Sequence, residues 1–493
     1  MEKELHALVD RLPAVKVFGS LDQTVTDVTA DSREVAPGSL FIALKGAHVD
    51  GHKFLAGAAQ KGAVAALVED LPAVAPDGMT LLQVDDTRAA MELLAPYFFD
   101  YPGKTMRMIG VTGTNGKTTS TNIIRQVLKE DGKQCGLIGT INVLIGEESI
   151  VSHNTTPDVV DLQKFLYRMK GAGCQYVVME VSSHALALRR VAGIEFDTAV
   201  LTNITEDHLD FHKTMEAYRD AKSLLFEQLS EVGRKQGKTA VFNADDPSTA
   251  VIAARTKVRK LFYGKGKEND IYPLRYAIEA KQMHLVLHTP VGDMDLHLKI
   301  TGEFNVYNVM CAVGALLAEN VDKAKIEQVL QGSGVPGRFQ LVEAGQPYSV
   351  IVDYAHTPDG LENVLRTARL ITKGHLWVVF GCGGDRDKTK RPVMGEIGAR
   401  LADFVIVTSD NPRTEKPEAI IDDILVGLKG YDTPYAVIPD RVAAIHYAMD
   451  HAQPGDVIVL AGKGHEDYQE IDHKHYPMDE RVIVAEHLKE TQK

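Results

Sequence analysis

Cysteine is scarce in this 493-residue chain, and its four examples, Cys135, Cys174, Cys311 and Cys382, lie far apart without the paired spacing of metal ligands. That pattern argues against a disulfide framework or a zinc site and predicts reduced thiols, with Cys382 a small packed residue inside a glycine turn. There is no basic excess: 67 acidic residues outnumber 54 basic ones, for a formal charge of -13. A general nucleic-acid or anionic-membrane binder needs a basic surface, so any phosphate must be held locally. No run of about eighteen apolar residues appears, and the N-terminus MEKELHALVDRL lacks the basic, apolar and small-residue succession of an export signal. A cytoplasmic protein is expected. Internal repeats and low-complexity tracts are missing too, which leaves no sign of a solenoid or a disordered tail.

The composition is that of a globular protein, and the length suffices for about three domains. Two Pro/Gly-marked junctions, Tyr101-Pro102-Gly103-Lys104 and Gly334-Val335-Pro336-Gly337-Arg338, divide the chain into segments 1–105, 106–336 and 337–493. In the second and third, short β-branched runs alternate with helical patterns, as in Met106–Val111 before Thr118–Glu130 and Ser349–Val352 before Asp359–Leu370. This alternation predicts an α/β fold of parallel sheets covered by helices. The runs YVVMEV, TAVLTNI, YSVIVDY, WVVFG, FVIVTSD and VIVLAG all end in polar or glycine-rich segments. Ligands of open α/β sheets bind beyond the carboxyl ends of strands, so these ends are the candidate chemistry.

The most informative stretch is Gly113-Thr114-Asn115-Gly116-Lys117-Thr118-Thr119, placed between a strand and a helix whose apolar residues Ile123, Ile124, Val127 and Leu128 share one face. Glycines let backbone amides converge on phosphate oxygens, Lys117 reaches the terminal phosphates, and the Thr118 hydroxyl can ligate magnesium. The strict P-loop spacing would put glycine at Val111, so this is a variant loop. Glu180 and His208, at or just beyond strand ends, offer a carboxylate and an imidazole suited to a magnesium site, although His208 alone reads equally as a capping or core histidine. Lys222, in AYRDAKSLLF, would ordinarily be a solvated surface lysine. Asn305 and Asn308, three residues apart, can share a helix face and suit a purine base or a helix cap.

GTNGKTT, together with NTTPD (Asn154–Asp158), EVSSHAL (Glu180–Leu186), NITEDHLDFH (Asn203–His212), YRDAKSLLF (Tyr218–Phe226), GEFNVYN (Gly302–Asn308), PGRFQ (Pro336–Gln340), DYAHTPD (Asp353–Asp359), GCGGDRDKTKRP (Gly381–Pro392), DNPR (Asp410–Arg413) and GKGHE (Gly462–Glu466), resembles the Mur ligases over essentially the whole chain. Within that family the pattern is most similar to the members that add diaminopimelate. The resemblance implies three domains: an N-terminal UDP-sugar-binding domain, a central P-loop ATPase-like parallel sheet, and a Rossmann-like C-terminal domain for the incoming amino acid.

It implies ATP and Mg2+ as cofactors. ATP falls to Gly113, Thr114, Asn115, Gly116, Lys117, Thr118, Thr119, Asn305, Asn308, Arg338 and Asp353, and the metal to Thr118, Glu180, His208 and Lys222. Lys222 would be carbamylated by carbon dioxide, which turns an ammonium into a carboxylate-like ligand; Lys117, Lys222, Glu180 and His208 form the implied catalytic set. The UDP-muramoyl dipeptide is implied at Ser32, Asn154, Thr155, Thr156, Ser182 and Arg190, with Leu188 standing where the family often has glutamine. Meso-diaminopimelate is implied at Arg386, Asp410, Asn411, Pro412, Arg413, Gly462 and Glu466. Asp410-Asn411-Pro412-Arg413 directly follows a strand, where a pocket is expected, though Asn-Pro is also a common turn start. The implied reaction makes an acyl phosphate on D-glutamate and then an amide, in a monomer that engages neither nucleic acid nor membrane. Use of L-lysine instead, a folylpolyglutamate synthetase, or a P-loop switch module that makes no bond are the alternatives; NTTPD and the extra N-terminal segment count against the folate reading.

Overall fold

The computed structural model describes the chain except for residues 47–48, 153, 232, 280–281, 332–338, 343–344 and 492–493. Contacts divide it into two compact units, which are described separately. The first comprises Met1–Gly110, Lys133–Asp197 and Gln228–Lys238. Its N-terminal part is a five-stranded sheet in the order Lys16–Phe18, Thr80–Gln83, Ala65–Val68, Ser39–Ile42, Asp27–Thr29, with only the first pair antiparallel. Alternation along a strand sends neighbours to opposite faces. Leu40 and Ile42 thus join Leu67, Leu82, Met91, Leu94 and Phe98, while Phe41 and Ala43 pack with Leu55, Ala58 and Leu81 on the other side. Beyond it, the first unit contains Cys135–Ile138 paired in parallel with Tyr176–Glu180 and extended by the hairpin Asn142–Ile145 and Glu148–Val151.

The second unit holds Val111–Gly132, Thr198–Glu227 and Thr239–Lys493. Parallel strands Thr198–Leu201 and Thr239–Asn243 are buried along their whole length, as strands covered on both faces are, and Arg259–Tyr263 flanks them at the sheet edge. The helix Lys117–Glu130 packs against Glu303–Ala318, and Ile123, Ile124, Val127 and Leu128 are all buried as their spacing predicts. Asp131 and left-handed Gly132 end that helix. A three-stranded antiparallel sheet, Tyr272–Ile278, Met283–His288 and Met294–Leu298, follows.

The C-terminal sheet runs Gln340–Val342, Ser349–Asp353, Val457–Ala461, Leu376–Phe380, Phe404–Val407, Tyr435–Val437, and all but its first pair are parallel. Helices cover both faces. Ile351, Val378, Phe380, Val405 and Val459 meet Leu361, Met394 and Ile420 on one side, and Val350, Val379, Ile406 and Leu460 meet Ile445, Met449 and Val484 on the other. The expected α/β class and every strand run singled out from the sequence are thereby found. All four cysteines are free and buried, and burial pushes the Cys382 thiol up to about 12, which makes it an inert packing group. Among the described residues no helix is long and apolar enough to cross a membrane.

Candidate active site

The strand Arg107–Thr112 ends in the second unit, where it delivers the chain into the glycine loop at the start of helix Lys117–Glu130. Gly113 and Gly116 have φ of 145° and 83°, and a Cβ at either would run into Thr202 Oγ1 or Asn308 Oδ1 respectively. Both glycines are therefore required by conformation and by space. The loop is pinned to the next strand end: Asn203 Oδ1 accepts from Asn115 N at 2.9 Å, and Thr202 Oγ1 donates to Asn115 O at 2.7 Å. Thr114 Oγ1 meets the Tyr218 hydroxyl at 3.0 Å. Lys117 Nζ donates to the carbonyls of Gly113 and Thr114 at 2.9 and 2.8 Å. Asn115 also reaches the C-terminal sheet's first helix, donating to Asp359 Oδ2 at 2.7 Å.

The loop opens on a cavity of about 560 Å³ whose walls include Asn115, Gly116, Thr119, Tyr307, Asn308 and Asp353. That volume suits a nucleotide-sized ligand. Asn308 lines it; Asn305 sits behind, donating to Thr301 O at 2.7 Å and accepting from Asn308 Nδ2 at 2.9 Å. The two asparagines do share a helix face, and one orients the other. Asp353 is anchored by the backbone amides of Phe339 and Ala355 at 2.6 and 2.8 Å. Arg338 lies outside the described residues.

Lys222 is the least ordinary residue of this unit. It is 1% exposed, and its Nζ donates to Gly113 O at 2.8 Å. Burial, reinforced by the nearby Lys117 charge, holds its amine well below the usual lysine range despite the opposing pull of Asp207. The solvated lysine of the bare sequence pattern is thus not what folds, because helix Met215–Leu229 turns this position inward beneath the glycine loop. Asp207, absent from the sequence-derived set, is the buried carboxylate whose charge opposes the shift at Lys222. Burial pushes the Asp207 carboxyl up, but Lys390 at 3.8 Å, His208 at 3.2 Å, His356 and Lys117 outweigh it and bring it down to about 2. His208 stands at the N-cap position of helix Leu209–His212 with φ of 57°.

A second polar cluster lies at the ends of Phe404–Val407 and Val457–Ala461. Asp410 is buried, and a side chain on Gly462, whose φ is 116°, would sit 2.5 Å from its Oδ2. Fully buried Lys463 donates to Asn411 Oδ1 at 2.8 Å and Glu466 Oε2 at 2.5 Å. Arg441, also fully buried, pairs with Glu480 at 2.8 Å and donates to Ala461 O at 2.8 Å. Burial raises the Asp410 carboxyl, yet Lys463 and Arg441 overcome it and keep it below the ordinary range. At Glu466 burial prevails, with Asp410 adding to it, and the carboxyl is raised. Arg413, at φ of 51°, pairs through Nε with Glu470 at 2.9 Å and through a terminal nitrogen with Gly384 O at 2.8 Å. Exposed Arg386 donates to Asp385 O at 3.0 Å, and Pro412 O passes so close to Gly384 that no side chain fits there. Lys463, Arg441 and Glu480 were missed in the sequence, where GKGHE was the only local hint.

In the first unit, Glu180 ends strand Tyr176–Glu180 and is buried, taking Thr140 N at 2.9 Å and Thr140 Oγ1 at 3.0 Å. Thr155 meets the same Thr140 hydroxyl at 3.1 Å, and Thr156 Oγ1 donates to Glu180 O at 2.9 Å. Ser182 caps helix Ser183–Ala187, and Arg190 donates to Thr156 O at 3.2 Å while its buried Nε has no partner among the described residues. These residues form one cluster. Asn154, whose carbonyl takes Ser152 Oγ at 2.6 Å, borders it; Ser32 lies elsewhere, in the Asp31–Arg33 turn, where its carbonyl accepts from Lys61 Nζ at 2.8 Å.

Parallel α/β architecture, a glycine loop at a helix N-terminus and buried titratable groups beyond strand ends define a nucleotide-using enzyme. The chain matches the Mur ligase family catalytic domain over residues 24–98, the Mur ligase middle domain over 111–316 and the Mur ligase glutamate ligase domain over 337–464. It is 45% identical over 489 residues, covering 99% of both chains, to a UDP-N-acetylmuramoyl-L-alanyl-D-glutamate--2,6-diaminopimelate ligase of Geobacillus thermodenitrificans. A solved structure of a ligase of that name is similar over 100% of each chain, with a TM-score of 0.67 and 32% identity. The MurF ligase of Thermotoga maritima in complex with ADP shares the fold, at a TM-score of 0.64 and 20% identity over 94% of this chain and 96% of that one. This chain belongs to the Mur ligase family, whose members are ATP-dependent, ADP-forming amide ligases.

Proposed function

We propose that this enzyme joins meso-2,6-diaminopimelate to the D-glutamate of UDP-N-acetylmuramoyl-L-alanyl-D-glutamate in peptidoglycan precursor synthesis, as a cytoplasmic monomer acting on small molecules. Segments 1–105, 106–336 and 337–493 are the UDP-sugar, ATP and amino-acid domains. The D-glutamate side-chain carboxylate attacks the γ-phosphorus of ATP, releasing ADP and leaving an acyl phosphate; the amine then attacks the acyl carbon and expels phosphate. Lys117 stabilises charge on the transferring phosphoryl group, and the amides of Gly113–Thr119 hold the phosphates. Thr156, Ser182 and Arg190 position the dipeptide, with the buried Arg190 Nε, which has no partner among the described residues, as a donor for its carboxylate.

A hard cation such as Mg2+ requires oxygen ligands, and an amine at Lys222 is the wrong donor. Burial disfavours its ammonium form and so favours the amine that can attack carbon dioxide: its nitrogen bonds the carbon, one proton leaves, and a carbamate with two oxygens results. So converted, Lys222 offers oxygen beneath the glycine loop, where Thr118 and His208 of the same unit would join it in holding the metal. The metal would supply neutralisation of phosphate charge.

The observation that carries the choice of amino acid is the turn after strand Phe404–Val407, which supplies buried Asp410 and, three residues on, Arg413 held by Glu470 and Gly384 O: acidic groups suit ammonium, and a guanidinium fork suits the carboxylate that distinguishes diaminopimelate from lysine. The decisive experiment incubates the enzyme with ATP, Mg2+ and UDP-N-acetylmuramoyl-L-alanyl-D-glutamate, offers meso-diaminopimelate and L-lysine singly, and weighs the products. A preference for lysine refutes the substrate; ADP release that does not depend on any acceptor amine refutes the ligation.

A further inference from the structure

The three-stranded antiparallel sheet buries one face and exposes the other. Met283, Leu285 and Leu287 point inward, as do Met294, Leu296 and Leu298 on the adjoining strand. Period-two alternation therefore places His284, Asp295 and His297 together on the outer face, away from the nucleotide cavity's walls. His284 and His297 are direct cross-strand partners with rings stacked at 4.2 Å between centroids and 6° between planes. Asp295, two residues before His297, sets its Oδ1 2.6 Å from His284 Nε2 and 3.7 Å from His297 Nε2. One donor atom from each of the three lies within 4.8 Å of the others.

We propose that His284, Asp295 and His297 form a binding site for a divalent transition metal of imidazole preference, with Zn2+ as its probe. Zinc bonds nitrogen and carboxylate oxygen at about 2.0–2.2 Å, so tetrahedral donors stand about 3.3 Å apart. The observed 2.6 and 3.7 Å separations bracket that edge, and all three donor atoms already lie within 4.8 Å of one another. Two imidazoles and one carboxylate are also a donor set that suits a borderline divalent cation. The backbone beneath is braced: Asp295 N donates to Glu327 Oε1 at 3.1 Å, His297 N to Gln331 Oε1 at 3.0 Å, and Gln331 Nε2 to Asp295 O at 2.8 Å. Ligands on a rigid strand lose little entropy on binding. Solvent completes the coordination sphere.

Calorimetric titration of the full-length, chelator-treated enzyme with ZnCl2 tests the site. Wild type should bind one strong equivalent with a dissociation constant of about 1–10 μM. The double variant His284→Ala/His297→Ala should lose that equivalent, its affinity falling about a hundredfold, whereas His288→Ala, altering a neighbouring outer-face histidine, should keep it. Because these side chains face solvent, the melting temperature without metal should be unchanged. As a measurement independent of any substitution, Co2+-loaded wild type should show the intense visible bands of tetrahedral coordination. Equal Zn2+ affinity in wild type and the double variant overturns the assignment, as does loss of the equivalent in His288→Ala or a Co2+ spectrum of the hexa-aquo type.

Discussion

The phosphate loop and the cluster around Asp410 are both built to hold charge, by opposite means. The loop works through backbone: Gly113 and Gly116 take conformations that side chains rarely allow, and the amides at a helix N-terminus supply the positive potential. The cluster works through side chains buried nearly to completion, with Lys463 and Arg441 setting the ionisation of Asp410 against that of Glu466. A backbone cradle is cheap in desolvation and tolerates any phosphate. A buried charge array is expensive unless every member is paired, but it discriminates among ligands by sign and position.

Lys117→Ala should separate the two regions most sharply. Loss of the only lysine in the glycine loop should cut amide formation by at least about a thousandfold, roughly 4 kcal/mol, while circular dichroism stays native. Near-normal turnover in a folded variant would remove the loop from the mechanism. Lys222→Ala should be slower by about a hundredfold or more and partly rescued by short carboxylic acids, which replace carbamate oxygens. Active wild-type enzyme whose intact mass at neutral pH, gently ionised, carries no added carbon dioxide would contradict it.

On the cluster's side, Arg413→Ala should lower kcat/KM for meso-diaminopimelate about ten- to two-hundredfold, the worth of one charge-assisted contact at about 1.5–3 kcal/mol. Acyl-phosphate formation, followed by isotope exchange in ATP, should persist because it precedes amine attack. A variant that retains full preference for diaminopimelate over lysine breaks the comparison. The smallest effect concerns Glu415, whose hydrogen bonds from Arg391, together with Lys388, overcome its partial burial and bring its carboxyl down to about 2. A depressed acid stabilises the fold fully above its unfolded value, near 4.5, and loses that contribution as pH falls through about 2. With solvent screening the amount is about 1 kcal/mol. Acid unfolding of Glu415→Gln should be correspondingly flatter between pH 4.5 and 2.

The strand ends, the glycine loop and the apolar stripe of helix Lys117–Glu130 were legible because each depends on residues within one or two turns of chain. So was Asn308, though not that Asn305 would serve it from behind. Asp207, Lys463, Arg441 and Glu480 were not. Arg441 and Glu480 are distant in sequence, carry no motif, and look like surface charges until the sheet brings them together.

By itself, then, the sequence determined the order of strands and helices and where the backbone must turn left-handed, since steric limits on φ and the periodicity of apolar side chains are local properties. The protonation of the site belongs to the tertiary structure. Whether Lys222 is an ammonium or a neutral amine, and which of Asp410 and Glu466 keeps its proton longer, follows from how much water the whole fold removes and which charges it places nearby. Desolvation and Coulomb energy sum over every neighbour in space, and neighbours in space are what a one-dimensional pattern leaves open.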